Sequence, residues 1–164
     1  MRARTAATIL IVCALMSCRR GRPRSSECGP RLEPASEAWA ERTDAELAAR
    51  IERAMQCGRD RQTRVLLEFT APWCADCREM MRIEGEEPAK SVLAERFERV
   101  RVNVRRWDAH RALVDRFGIR AIAAYVVLDP RSGSVLAQTT REPITGADGR
   151  LTSEQWAAWL RAAR

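Results

Sequence analysis

The chain has one lysine, Lys90, and one histidine, His110, in 164 residues. It has one close-spaced cysteine pair, Cys74 and Cys77, and no second. Structural zinc needs about four ligands, usually supplied as two pairs, so the ligand count argues against a metal site. No internal repeat is present. The longest apolar stretch, TAATILIVCALMS at 5–17, is shorter than the roughly 20 residues of a comfortable membrane span. Proline is missing from GIRAIAAYVV at 118–127. The balance of 29 Lys plus Arg against 22 Asp plus Glu gives +7. Acids interleave with the bases, and no one predicted helix gathers the positive charge. That distribution excludes a nucleic-acid binder.

The length suits one domain with a modest core. Arg2 and Arg4 precede the short apolar stretch, as in an export signal. The LMSC that follows, at 15–18, resembles the bacterial lipobox. That resemblance implies a signal at 1–17 and lipid attachment at Cys18. An ordinary cleaved signal with an incidental cysteine, or an uncleaved anchor, is the alternative. The expected location is the cell envelope, lipid-anchored and facing the periplasm. With no acidic retention residue after Cys18, the outer membrane is preferred to the inner. Residues 18–35 are rich in Arg, Pro, Ser and Gly, and read as a disordered tether reaching about 25 Å. Its arginines suit anionic headgroups or plain solvent equally.

The folded domain is expected over 36–164. Thr43 and Glu46 form a capping box ahead of Leu47, Ile51 and Met55, and Gly58 is expected to end that helix. RVLLEFTA at 64–71 is a buried strand. Helices are expected over 74–84 and from Pro88 to about Arg96. RVRVNV at 99–104 alternates, with its valines on one side. Asp108 is expected to cap a helix carrying Leu113, Val114 and Phe117, stopped by Gly118. Residues 122–129 and 134–140 read as a hairpin across PRSG. Thr152 opens a last helix with Trp156, Trp159 and Leu160 on one face. This order predicts an α/β fold with a mixed central β-sheet flanked by helices.

EFTAPWCADCREMM, at 68–81, carries the chemistry. Three residues apart at a helix start, Cys74 and Cys77 share a face and can bond. The helix N-terminus favours negative charge, so Cys74 should ionise easily and look outward. A thiolate is what attacks a disulfide, and Cys77 is placed to resolve the product. A purely structural bridge is the alternative, although so short a loop gains little from cross-linking. Asp76 places an acid beside Cys74 and tunes the pair toward reductant by raising the thiol pKa. Glu68 lies among Leu66, Leu67 and Phe69. If buried, its pKa rises and it can carry protons; the alternative is an acid at a wet strand end.

VLLEFTAPWCADC, the following REM, RVNV before a helix, and FGI at a helix end resemble the thioredoxin superfamily. They are most similar to the thioredoxin-like C-terminal domain of the thiol:disulfide interchange protein DsbD. The resemblance spans about 60–164. It implies a thioredoxin-like three-layer sandwich, with Cys74 as nucleophile, Cys77 as resolving thiol and Glu68 as the buried acid serving the inner cysteine. Trp73 would shield the pair. The family usually has a cis-proline facing the cysteines, where this chain has Ala123. A cis bond before alanine costs about 2.5–4 kcal/mol, so it is expected trans unless packing enforces cis. The departure bears on substrate binding more than on fold.

Pro72, Trp73, Ile122 and Ala123 make the expected docking rim. Cys28 and Cys57 are a candidate structural disulfide, with Cys57 as a small buried apolar residue the competing reading. The reading is a membrane-tethered oxidoreductase of protein thiols and disulfides, monomeric and free of cofactor, with a membrane electron donor among its candidate partners. Its rivals are a binding or escort lipoprotein of low turnover and a helper in metal or haem maturation.

Overall fold

The computed structural model describes Cys28, Gly29, Arg31 and residues 37–163. The export signal, the anchor at Cys18 and all of the tether except Cys28, Gly29 and Arg31 fall outside the described residues.

Helix α1 spans Asp44–Arg61. Thr43 caps it: its hydroxyl accepts from the Glu46 N–H, and the Glu46 carboxylate accepts from the Thr43 N–H. The expected stop at Gly58 is not there; the helix runs three residues further and ends on Gln62 at φ 57°. Gly58 serves packing instead. A Cβ on it would lie 2.9 Å from both the Pro130 Cβ and the Thr63 carbonyl oxygen.

Strand β1 is Arg64–Thr70, helix α2 Ala75–Glu84, helix α3 Ala89–Arg96 and strand β2 Phe97–Asn103. Helix α4 is Arg111–Arg116, and strands β3 and β4 are Ala124–Leu128 and Val135–Thr140. A 3-10 turn over Glu142–Ile144 precedes α5, Ser153–Ala162. The expected cap of α4 at Asp108 is corrected. His110, at φ 54°, holds that place, and Asp108 instead accepts from the Arg106 N–H within its own loop.

The sheet order is β2-β1-β3-β4. β1 pairs parallel with β2 and antiparallel with β3, which pairs antiparallel with β4. Strand alternation sorts the core into two clusters. Leu66, Tyr125 and Val127 pack with Met80, Ile83, Leu93, Trp156 and Leu160 of α2, α3 and α5. Leu67, Phe69, Val100, Val102 and Val126 pack with Leu47 of α1 and Val114 of α4. The result is the α/β three-layer sandwich, with a mixed sheet between helices.

Three residues of the stretch read as tether lie on this body. Cys28 is disulfide-bonded to Cys57 of α1, Cα atoms 5.8 Å apart. The Arg61 guanidinium donates to the Cys28 and Gly29 carbonyls. Arg31 donates to the carbonyls of Ala94 and Glu95 at 2.7 and 2.8 Å, and its own carbonyl accepts from Arg99 on the edge strand β2.

Candidate active site

The carboxyl end of β1 runs through Ala71, Pro72 and Trp73 into α2. The turn closes where the Cys74 N–H donates to the Ala71 carbonyl at 3.2 Å. Cys74 is the N-cap of α2, and its Sγ accepts from the Cys77 N–H at 3.0 Å. An N-cap position normally asks for Ser, Thr, Asp or Asn, because a side-chain acceptor there meets a helix N–H that has no partner. Sulfur fills that role here. Cys74 and Cys77 are joined in a disulfide with Cα atoms 5.2 Å apart.

The expectation that Cys74 looks outward is corrected. Cys74 keeps 5% of its surface and Cys77 2%. Both pack in the same cluster as Ala123, with Ile122 against it. The peptide bond between Ile122 and Ala123 is cis, not trans, and Ala123 sits in that packed core. Of the expected rim residues, Pro72 and Trp73 are exposed, Ile122 is half-buried and Ala123 is buried beneath them. Trp73 shows 50% of its surface, the largest exposed aromatic area described. Its Nε1–H donates to the Arg105 carbonyl, which ties the ring to the loop after β2. Arg78, next to Cys77, donates to the Pro72 carbonyl at 2.6 Å. Asp76 faces Arg141 at 3.7 Å, so the acid beside Cys74 has a guanidinium of its own.

Glu68 is buried, on the sheet face that carries α2. It is not an isolated acid. Arg99 grips it through Nε and Nη2 at 2.6 and 2.9 Å, and Arg101 Nε donates to it at 3.0 Å. Arg99 also donates to buried Glu84, the last residue of α2, and Arg101 lies 3.5 Å from it. Two carboxylates and two guanidiniums therefore share one buried cluster. This reverses the expected direction for Glu68. Burial by itself pushes its pKa up, but the charges of Arg99 and then Arg101 outweigh burial and hold it below the ordinary carboxylate range. Glu84 goes the other way. Burial raises it, Arg99 pulls against burial, and the charge of Glu68 pushes it further, to about 7. Burial also lifts the Tyr125 hydroxyl well above its ordinary value.

Sequence reasoning missed Glu84, Arg99 and Arg101. The signal was present: two arginines at alternate positions of a strand, beside a strand with one acid in an apolar run. In the parallel register Glu68 stands opposite Arg101, and Leu66 opposite Arg99.

A family model described as thioredoxin-like matches residues 46–130. No curated protein matches the chain. Among solved structures, a disulphide isomerase from Xylella fastidiosa Temecula1 is 24% identical, with TM-score 0.63, covering 76% of this chain and 95% of its own. The oxidised DsbD C-terminal domain of Neisseria meningitidis is 23% identical, with TM-score 0.57, covering 76% and 100%. A thioredoxin from Thermus thermophilus is 17% identical, with TM-score 0.52, covering 76% and 86%. At these identities the structural likeness speaks for the fold.

Proposed function

The chain belongs to the thioredoxin-like family, and from that premise we propose that it is a thiol:disulfide oxidoreductase acting on protein thiols through Cys74 and Cys77. The observation that carries this reading is the disulfide at the mouth of α2, with Cys74 as the cap and a backbone N–H already on its sulfur. The same N–H and the helix dipole would stabilise a Cys74 thiolate once the bond is reduced.

The exchange runs in two steps. The Cys74 thiolate attacks one sulfur of a partner disulfide, and the other partner sulfur leaves as a thiolate that takes a proton. Cys77 then loses its proton and attacks the Cys74 sulfur. This forms the bond seen here and releases the second partner thiol. Two electrons pass to the partner, and a dithiol donor returns them by the reverse exchange. Glu68 occupies the family's position for the acid serving the inner cysteine, and Glu84 is joined to it through Arg99. The Cys77 proton is assigned to this cluster rather than to Glu68 alone.

The proposal extends to the setting: export, lipid attachment at Cys18 and a periplasm-facing site, with the outer membrane preferred. The mass of the mature protein tests the lipid attachment, through a diacylglyceryl adduct on an N-terminal Cys18, and membrane fractionation tests the location.

The burial of Cys74 favours a second reading, a structural disulfide in a binding or escort protein. Trapping separates the two. Reduced Cys77→Ser should form a lasting mixed disulfide with an oxidised peptide, and Cys74→Ser/Cys77→Ser should form none. A reduction potential below about −300 mV with sluggish exchange would hand the case to the structural reading.

A further inference from the structure

Three exposed arginines lie in the segments that border the disulfide and its rim. Arg78 follows Cys77 and donates to the Pro72 carbonyl of the rim. Arg106 follows Arg105, whose carbonyl holds the Trp73 indole. Arg120 lies two residues before Ile122, which packs on the cluster containing Cys74, Cys77 and Ala123. All three are exposed. Two acids of this end face arginines, and a third bonds only to backbone. Asp76 faces Arg141, Glu41 faces Arg105 at 3.5 Å, and Asp108 accepts from the Arg106 N–H. Among the described residues, none of the guanidiniums of Arg78, Arg106 and Arg120 lies in a salt bridge. The exposed indole thus shares its end of the molecule with three exposed arginines that have no salt bridge among the described residues.

We propose that the partner segment docking on this rim is acidic, carrying carboxylates on either side of the disulfide that Cys74 attacks. The inference rests on the exchange reading above and names the substrate class it takes. An apolar or aromatic residue of the partner covers Trp73, and its flanking carboxylates meet Arg78, Arg106 and Arg120. The Arg78 charge, one residue from Cys77, also opposes the repulsion between an acidic segment and Asp76. Charges at the edge of a contact act mainly on the rate of encounter and on salt dependence.

The test uses the full chain with Cys77→Ser, reduced, and two oxidised peptides that differ only in Glu or Lys flanking their cysteines. The rate of mixed-disulfide formation is divided by each protein's rate with hydroxyethyl disulfide, a small neutral substrate. We expect the Glu peptide to react about tenfold faster than the Lys peptide in 20 mM salt, and the ratio to shrink to about twofold near 0.3 M, where charges are screened within several ångströms. Adding Arg106→Glu and Arg120→Glu should bring the low-salt ratio to one or below. Equal rates for the two peptides at low salt, or a ratio unmoved by charge reversal, overturn the acidic partner while leaving the exchange reading standing. Inertness toward hydroxyethyl disulfide as well overturns both.

Discussion

Glu84 sets how the molecule responds to pH. Its ordinary pKa is 4.5 and its folded value is about 7. Between those values the folded chain holds a proton that the unfolded chain has released. The stability this contributes is full below about 4.5 and is lost as pH rises through 7, with a slope of at most about 1.4 kcal/mol per pH unit for one proton. Glu68 works in the opposite sense. Its folded pKa is lowered, so its contribution is present above 4.5 and is lost at more acid pH. The two carboxylates share Arg99, so the observed titration belongs to the cluster. Denaturant midpoints should therefore fall from pH 5 to 8 in the natural protein. Glu84→Gln keeps an acceptor for Arg99 and should flatten that slope; an unchanged slope would remove Glu84 from this role. An unpaired guanidinium left in a dry core is costly, commonly about 3–5 kcal/mol. For that reason the isosteric Gln is the useful variant and Leu is not.

At the scale of elements, α1 continues through Gly58 because the next contact decides its end. Alanine in a helix interior is favoured over glycine by about 1 kcal/mol. Here the new Cβ would sit 2.9 Å from the Pro130 side chain and from the Thr63 carbonyl, which is backbone and cannot swing away. Overpacking of that kind costs about 1–3 kcal/mol, so the clash wins. Gly58→Ala should lower the stability measured by urea unfolding by about 1 kcal/mol, and a stabilised variant would show that the Pro130 turn yields. The starts of α1 and α5 were more legible. Thr43 with Glu46, and Thr152 with Gln155, form reciprocal caps where the sequence pairs a hydroxyl with an acid or amide three residues on. α4 was misread because Asp108 could cap a helix or close its own loop, and local hydrogen bonding took the second course.

At the scale of the whole molecule, the Cys28–Cys57 bond closes a loop with a sequence separation of 29. The chain-entropy account gives about 3–4 kcal/mol for a loop of that length. Cys28→Ser/Cys57→Ser should lose about that much in equilibrium unfolding, while the Cys74–Cys77 pair stays oxidised in the same preparation. A loss below about 1 kcal/mol would mean that the contacts of Arg31 and Arg61 hold the segment unaided. The bond and these contacts lie at the amino end of β1, through Arg61 and the start of β2. The Cys74–Cys77 disulfide lies beyond its carboxyl end, so the two cysteine pairs occupy opposite ends of the sheet.

The amino-acid sequence by itself determined the order of elements, the parallel-then-antiparallel sheet and the placement of Cys74 and Cys77 at a helix start. Those follow from apolar period, turn residues and spacing, which are local properties. Only the tertiary structure decided which charges go inside. RVRVNV puts its valines on one side and Arg99 and Arg101 on the other, yet that alternation alone does not say that the arginine side is buried too. That depends on Glu68 and Glu84 arriving from β1 and α2 to meet them. A buried charge is tolerated only when its partner is present. The folded value of Glu84, the direction of Glu68 and the burial of Cys74 were therefore settled by contacts between segments distant in sequence.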